Sequence, residues 1–388
     1  MKIRHNLLRL SSLILISAIS ANAHPSGGAL ASLTERPKVE VAFVLDTTGS
    51  MGGLIEGAKQ KIWSIANEIA SAPSKPQVKF ALIGYRDVGD DYVTKTYDLT
   101  DDLDDIYAKL MDFNAGGGGD TPESVNQALH ESVNYLTWSD HKDTLRIIFL
   151  VGDAPPHMDY ADDVQYAETC QKAQSKDIII NTIQCGNLVG TADIWQAIAQ
   201  QAAGEYVAIE QSGGMQAVST PMDEAISQLN REMAETVITY GDDRAQNIGK
   251  TKVANAMSSL PEAAAARYNY FNASNAESDH APTAISGKED LIAQLQQEEL
   301  EESEINTEHL PDALRDLDQA ELKQHIAKKS EERLAIQQRL NALLTERQSY
   351  IDTENTHLAG TGPADSFDNK VNEIIRTQAA TKGIRYED

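Results

Sequence analysis

The 388-residue chain is short of cysteine, of positive charge and of long apolar runs. Its two cysteines, Cys170 and Cys185, allow at most one disulfide, a bridge that an exported protein could form. The other reading is two separate thiols, one on a helix and one at a strand end. Neither cysteine stands in a recognisable nucleophile context. Lys and Arg together number 33 against 59 Asp and Glu, giving a formal net charge of −26. A polyanion of this kind lacks the cationic surface that neutralises phosphates, which argues against nucleic acid. It is equally ill suited to an anionic membrane surface. Cations and partners with basic patches are its favoured company.

One apolar run stands near the start, "LLRLSSLILISAIS", too short and too rich in serine for a membrane span. Lys2, Arg4 and Arg9 precede or interrupt it, and Ala21-Asn22-Ala23 closes it as a cleavage site. Residues 1–23 therefore read as a signal peptide. Its removal takes three positive charges and no acid, so the mature chain is more negative still. No other segment reads as a membrane span. The signal and the scarcity of cysteine point to a bacterial exported protein, periplasmic or secreted.

With 41% hydrophobic residues, the chain has material for a substantial core. Residues 24–37 are small and polar and read as a linker. From 38 to 238, short β-branched apolar runs alternate with stretches of helical spacing. Strands are expected near 39–45, 78–84, 145–151, 178–183 and 205–209, with an edge strand near 93–97. Strands apolar on both faces, alternating with helices, indicate an α/β fold with a doubly wound, mostly parallel sheet. Residues 239–288 read as a mixed or loosely ordered connector. Residues 289–388 read as an acidic α-helical region, in which Leu322, Ile326, Leu334, Leu340, Leu343 and Leu344 suggest a helical hairpin or short coiled coil, or else one exposed helix packed on the main domain.

In such a sheet, ligands bind beyond the carboxyl ends of the strands. Three stretches converge there: "DTTGS" (46–50), "GGGGDTPES" (116–124) and "FLVGDAPPH" (149–157). Asp46, Thr48 and Ser50 alternate, so in an extended turn their oxygens share one side. Three oxygens on one side suit a hard divalent cation, which in the case of magnesium takes about six oxygens and keeps some water. Loop two can add Asp120, Thr121 or both. Asp153 can bind directly or orient a coordinated water.

Together these stretches resemble the von Willebrand factor A (VWA) domain and its metal-ion-dependent adhesion site. Asp46, Thr48 and Ser50 match that family's Asp-x-Ser-x-Ser, with threonine in place of the first serine. Asp120 or Thr121 matches its loop-two residue, and Asp153 its last acid. The loop resembles the GGGD-x-PE of hemicentin-like A domains. The resemblance implies a non-enzymatic binding protein. Its divalent cation is Mg²⁺, with Mn²⁺ or Ca²⁺ as alternatives, and its shell is completed by the carboxylate of a protein partner. His157 and Arg86 would then lie on the partner-binding rim. Two rivals differ in class. A metal-dependent phosphatase or hydrolase would need an acid where Thr48 stands and a Lys-Ser/Thr phosphate loop, and both are missing. A structural scaffold would act through the helical tail instead.

Overall fold

The strand β1 (Lys38–Asp46) is buried along almost its whole length because it runs between β2 (Gln77–Tyr85) and β4 (Thr144–Gly152), parallel to both. The computed structural model describes residues 36–119, 121–215, 219–274, 285, 287–357 and 366–386. The signal peptide, nearly all of the linker and Asp120 lie outside the described residues. Beyond β2 comes β3 (Thr94–Thr100), antiparallel at the edge. Beyond β4 come β5 (Ile178–Cys185) and β6 (Tyr206–Ile209), both parallel. The six-stranded order is β3-β2-β1-β4-β5-β6. The doubly wound, mostly parallel sheet read from the sequence is the fold observed.

Alternation along β1 divides the core in two. Val39, Val41, Phe43 and Leu45 face one layer, and Ala42 and Val44 the other. On the second face lie α3 (Val125–Asn134), α4 (Tyr166–Ser175) and α5 (Thr191–Gln201). On the first lie α1 (Gly52–Ala70) and α2 (Leu103–Met111). Helix α1 also buries Trp63 and Ala70, away from its sheet-facing stripe, because two later helices cover it.

Those helices correct the reading of the C-terminal half. Within 239–288, α7 (Asp243–Ser258) and α8 (Pro261–Ser274) are regular helices, not a loose connector. Alanine, frequent in this segment, is the best helix former and lets backbones approach closely. Helix α8 sets Ala263, Ala266 and Tyr270 into the sheet-side core and Ala264, Ala265 and Tyr268 into a second cluster. The second cluster draws Ile226, Leu229 and Met233 from α6 (Asp223–Ala234) and Ile336, Leu340 and Leu344 from α11 (Gln319–His357). The stripe of α11 thus packs against α6 of the same chain, the plainer of the two arrangements considered. Short helices α9 (Leu291–Gln296) and α10 (Asp312–Arg315) precede it.

Helix α12 (Phe367–Ala380) returns to the sheet-side core, burying Phe367, Val371, Ile374, Ile375 and Ala379. At roughly 1.5–3 kcal/mol for each large side chain, this burial makes α12 part of the domain core. Among the described residues, no helix is long and apolar enough to cross a membrane.

The sheet also decides the cysteine question. Cys170 on α4 belongs to one core layer and Cys185 on β5 to the other, so the sheet stands between them. Both are free thiols, which corrects the disulfide expectation. Burial pushes the Cys170 thiol up to about 12 and raises that of Cys185 as well. Neither is expected to react with a thiol-alkylating reagent in the native protein, and a reductant should leave the unfolding midpoint unchanged. Rapid native alkylation, read by mass spectrometry, would contradict this placement.

Candidate functional site

Asp46 is the last residue of β1 and is fully buried. Its Oδ1 accepts the Thr48 backbone N–H at 2.8 Å and the Thr48 hydroxyl at 2.6 Å. The Thr48 and Ser50 hydroxyls lie 3.4 Å apart. Thr47 turns the other way, its hydroxyl donating to the Tyr85 carbonyl at 2.8 Å. The expected alternation is therefore present: Asp46, Thr48 and Ser50 share one side, and Ser50 reaches solvent. Asp46 fits this position because its neighbour on β4 is glycine. A Cβ on Gly152 would come within 2.9 Å of the Asp46 Cβ.

Loop two is tied to loop one by its backbone. Gly116 N–H donates to the Thr47 carbonyl at 3.1 Å, and Gly49 N–H donates to the Gly117 carbonyl at 3.4 Å. Gly118 has a φ of +73°, and a side chain there would meet Thr48. Thr121, exposed, follows on this loop. Asp153 stands just past β4, its Oδ2 accepting from the Gln211 amide at 2.7 Å. Among the described residues, no three Asp, Glu, His or Cys side chains converge as a metal cage. The convergence here is of one buried carboxylate with hydroxyls, and Asp153 beside them.

The electrostatics are unbalanced. Asp46 Oδ2 is buried with no hydrogen-bond partner, and so is Glu123 Oε2. Burial pushes the Asp46 carboxyl up to about 7, against the pull of the Thr48 hydrogen bonds, and Asp153 adds repulsion. Burial and then the charge of Asp46 push Glu123 up to about 9. A buried carboxyl oxygen without a partner is costly, and it is normally answered by a proton, a cation or a donor.

The two residues expected on the rim are placed differently. Arg86 is only 6% exposed, spent on the Thr47 carbonyl (3.2 Å), the Asn114 carbonyl (2.7 Å) and Asp91 (3.4 Å), and stacked over Tyr92. It braces loops one, two and the β2–β3 loop from inside. His157 is likewise buried, with Nδ1 2.8 Å from Asp159, Nε2 3.5 Å from Asp87 and its ring stacked on Tyr160. Long polar side chains at a loop junction find backbone carbonyls and acids there, which draws them inward. Ser124 donates to Asp87 at 2.8 Å.

Besides these polar groups, several apolar side chains face solvent at this edge. Val88 (60% exposed), Met158 (50%), Leu188 (43%) and Val189 (95%) sit on the loops after β2, β4 and β5. Hydrogen bonds from Tyr160 to Asp87 and from Thr191 to the Asp153 carbonyl hold these loops to the site.

Sequence reasoning missed Glu123, Gln211 and Asp90 as members of this site. Asp90 Oδ2 accepts the Gly118 and Asp87 backbone N–H groups, so the β2–β3 loop packs on loop two. Glu123 was visible in "GGGGDTPES", three residues from Asp120. Gln211 follows β6 at the same sheet edge, and that position is the signal that could have found it.

Comparison with known proteins places residues 40–221 under the family model of the von Willebrand factor A domain. Over 120 residues the chain is 36% identical to von Willebrand factor A domain-containing protein 7 of Rattus norvegicus, a match covering 31% of this chain and 12% of the rat protein. The Homo sapiens protein of that name is 34% identical over the same shares. The chain thus spans about an eighth of the length of these curated relatives. Among solved structures, the SpRpn10 VWA domain aligns at 15% identity and a TM-score of 0.34, covering 50% of this chain and 95% of that one.

Proposed function

We propose that the von Willebrand factor A domain carried by residues 40–221 holds a divalent cation and through it binds a protein partner. Domains of this family generally mediate protein–protein interaction. The observation that carries the metal reading is the buried, unpartnered Oδ2 of Asp46 beside the Thr48 and Ser50 hydroxyls. An all-oxygen donor set of this kind fits a hard cation, Mg²⁺ first and Mn²⁺ or Ca²⁺ after it. Asp46, Thr48, Ser50 and Thr121 would hold it, with Asp153 binding directly or through water. Asp120 shares the loop-two candidacy.

The bound cation would supply positive charge at an otherwise anionic edge. The residues of this chain do the rest. The Thr48 hydroxyl donates a hydrogen bond to Asp46, which leaves its oxygen lone pairs available. Gln211 orients Asp153. The exposed Val88, Met158, Leu188 and Val189 offer the partner apolar contact around the cation, while the acids between them favour a partner with a basic patch around its one carboxylate. In this reading the protein is exported and acts as a binding module rather than an enzyme. Magnesium or manganese at millimolar concentration is expected to raise the melting midpoint, EDTA to reverse the rise, and Asp153→Ala to reduce it. At a hundred-fold excess over Kd, stabilisation by a native-state ligand is about 2.7 kcal/mol. A midpoint indifferent to both metals and to EDTA would sink the proposal.

A further inference from the structure

Between α9 and α11 the chain is built of short turns: 3-10 turns at Glu302–Glu304 and Thr307–His309, then the four-residue α10. It lies against a small core that includes Ile238, Leu291, Leu310, Leu322 and Ile326. Leu295, Leu300, Ile305, Leu314 and Leu317 pack on that core but are only partly buried. Where this segment meets the first turns of α11 there is a cavity of about 530 Å³, with Ile305, Leu322 and Ile326 among its walls. A second, of about 200 Å³, reaches Ile292 and Leu295. Glu302, Lys323 and Ile326 line both, so the two form one apolar groove. Lys323 Nζ and Glu302 Oε2, 2.6 Å apart, stand where the cavities join. Their side chains are 68% and 57% exposed, and an ion pair so exposed is worth little and yields readily to another cation.

The rim of this groove carries charge of nearly one sign. Residues 298–321 hold ten Asp and Glu against one arginine, Arg315, which is already engaged by Asp312 at 2.8 Å. Glu302 and Asp318 stand in the wall of the larger cavity itself. An acidic surface that served solubility alone would need no apolar floor. An apolar floor beneath an acidic rim fits an occupant with the complementary arrangement, apolar in the middle and basic at the edge. A second copy of this chain, at a formal net charge of −26, is repelled from such a rim, and so is an anionic lipid surface.

We propose that this groove is a second protein-docking site, separate from the sheet edge, for a basic amphipathic segment of a partner protein. Apolar side chains on one face of that segment enter the cavities beside Leu322 and Ile326, as in helix-in-groove recognition. A lysine or arginine next to them pairs with Asp318 and displaces Lys323 from Glu302. None of the residues assigned to the cation takes part, so docking here is independent of metal.

The test is calorimetric titration of the full chain, in EDTA, with a short synthetic amphipathic peptide of leucine and lysine. A peptide of equal charge with serine for leucine is the control for attraction to acid alone. Ala320→Trp fills the larger cavity, and Glu302→Lys reverses a rim charge. Glu346→Lys makes the same charge change about 30 Å further along α11. All three positions are exposed, so melting midpoints should match wild type. The leucine–lysine peptide is expected to bind at least about 10-fold more tightly than its serine counterpart. Ala320→Trp and Glu302→Lys should each weaken it by about 10-fold or more, the scale for a central contact, and Glu346→Lys far less. Equal affinity for the two peptides, wild-type affinity in Ala320→Trp, or equal losses in Glu302→Lys and Glu346→Lys would overturn the proposal. So would a dimer of the free chain that Ala320→Trp abolishes, seen by sedimentation, since it would assign the groove to a second copy.

Discussion

Arg333→Ala is expected to lower folding stability by about 3–5 kcal/mol, the cost of leaving a buried charge without its partner. Arg333 lies on the inward stripe of α11 and is fully buried. Its Nη1 stands 2.7 Å from Asp290 Oδ2, which is fully buried too. Its Nε and Nη2 donate to the hydroxyl and carbonyl of Thr236, both at 3.1 Å. Asp290 Oδ1 in turn accepts the Ile292 N–H at 3.2 Å and the Ile238 N–H at 3.4 Å. One guanidinium therefore joins α11, the end of α6 and the segment entering α9. A buried ion pair is weak evidence for net stability, since desolvation offsets most of its attraction, but removing one member exposes the whole desolvation cost. Denaturant unfolding measures it. Arg333→Met combined with Asp290→Asn, which removes both charges and keeps an acceptor for the two N–H groups, should recover most of the loss. A loss under 1 kcal/mol in Arg333→Ala alone would show that the C-terminal helices are not clamped in this way.

The second large effect lies at the site. Asp46→Ala is expected to weaken divalent-cation binding by at least about 100-fold, because under the proposed function it removes a direct anionic ligand rather than an outer-shell one. The fold should survive, since no other element depends on this carboxylate. Asp46→Asn separates the charge from the shape. In the metal-free protein the Asp46 carboxyl has been pushed up to about 7 from 3.8. A group with a raised folded value contributes stability that is complete below its unfolded value and lost as pH rises through the folded one. Metal-free wild type should therefore lose stability relative to Asp46→Asn as pH rises from about 4 to about 8, and the metal should abolish that difference.

Much of this was legible in the residues. The β-branched runs marked the strands because a parallel sheet covered on both faces leaves no polar positions inside. The loop residues Asp46, Thr48, Ser50 and Asp153 were legible because their polarity breaks those runs at one edge. Other features were not. Helices α7 and α8 were hidden by composition, since Ala, Asn and Ser suit a close-packed helix as well as a loop. The inward turn of Arg86 and His157 depends on which carbonyls and acids the neighbouring loops bring, and sequence spacing does not specify that. The separation of Cys170 from Cys185 follows from the face each occupies, which requires the register of β5 and the docking of α4. Gln211 came from a loop more than fifty residues beyond Asp153, chosen by the strand order alone.

The central claim is that Asp46 and its hydroxyl neighbours hold one divalent cation. Isothermal titration of MnCl₂ into the metal-free full chain tests it most directly, with Asp46→Ala alongside. Saturable binding with one site per chain in wild type, and none at the same concentrations in Asp46→Ala, is the predicted result. Undiminished binding by Asp46→Ala, or no heat above dilution in wild type, would contradict it.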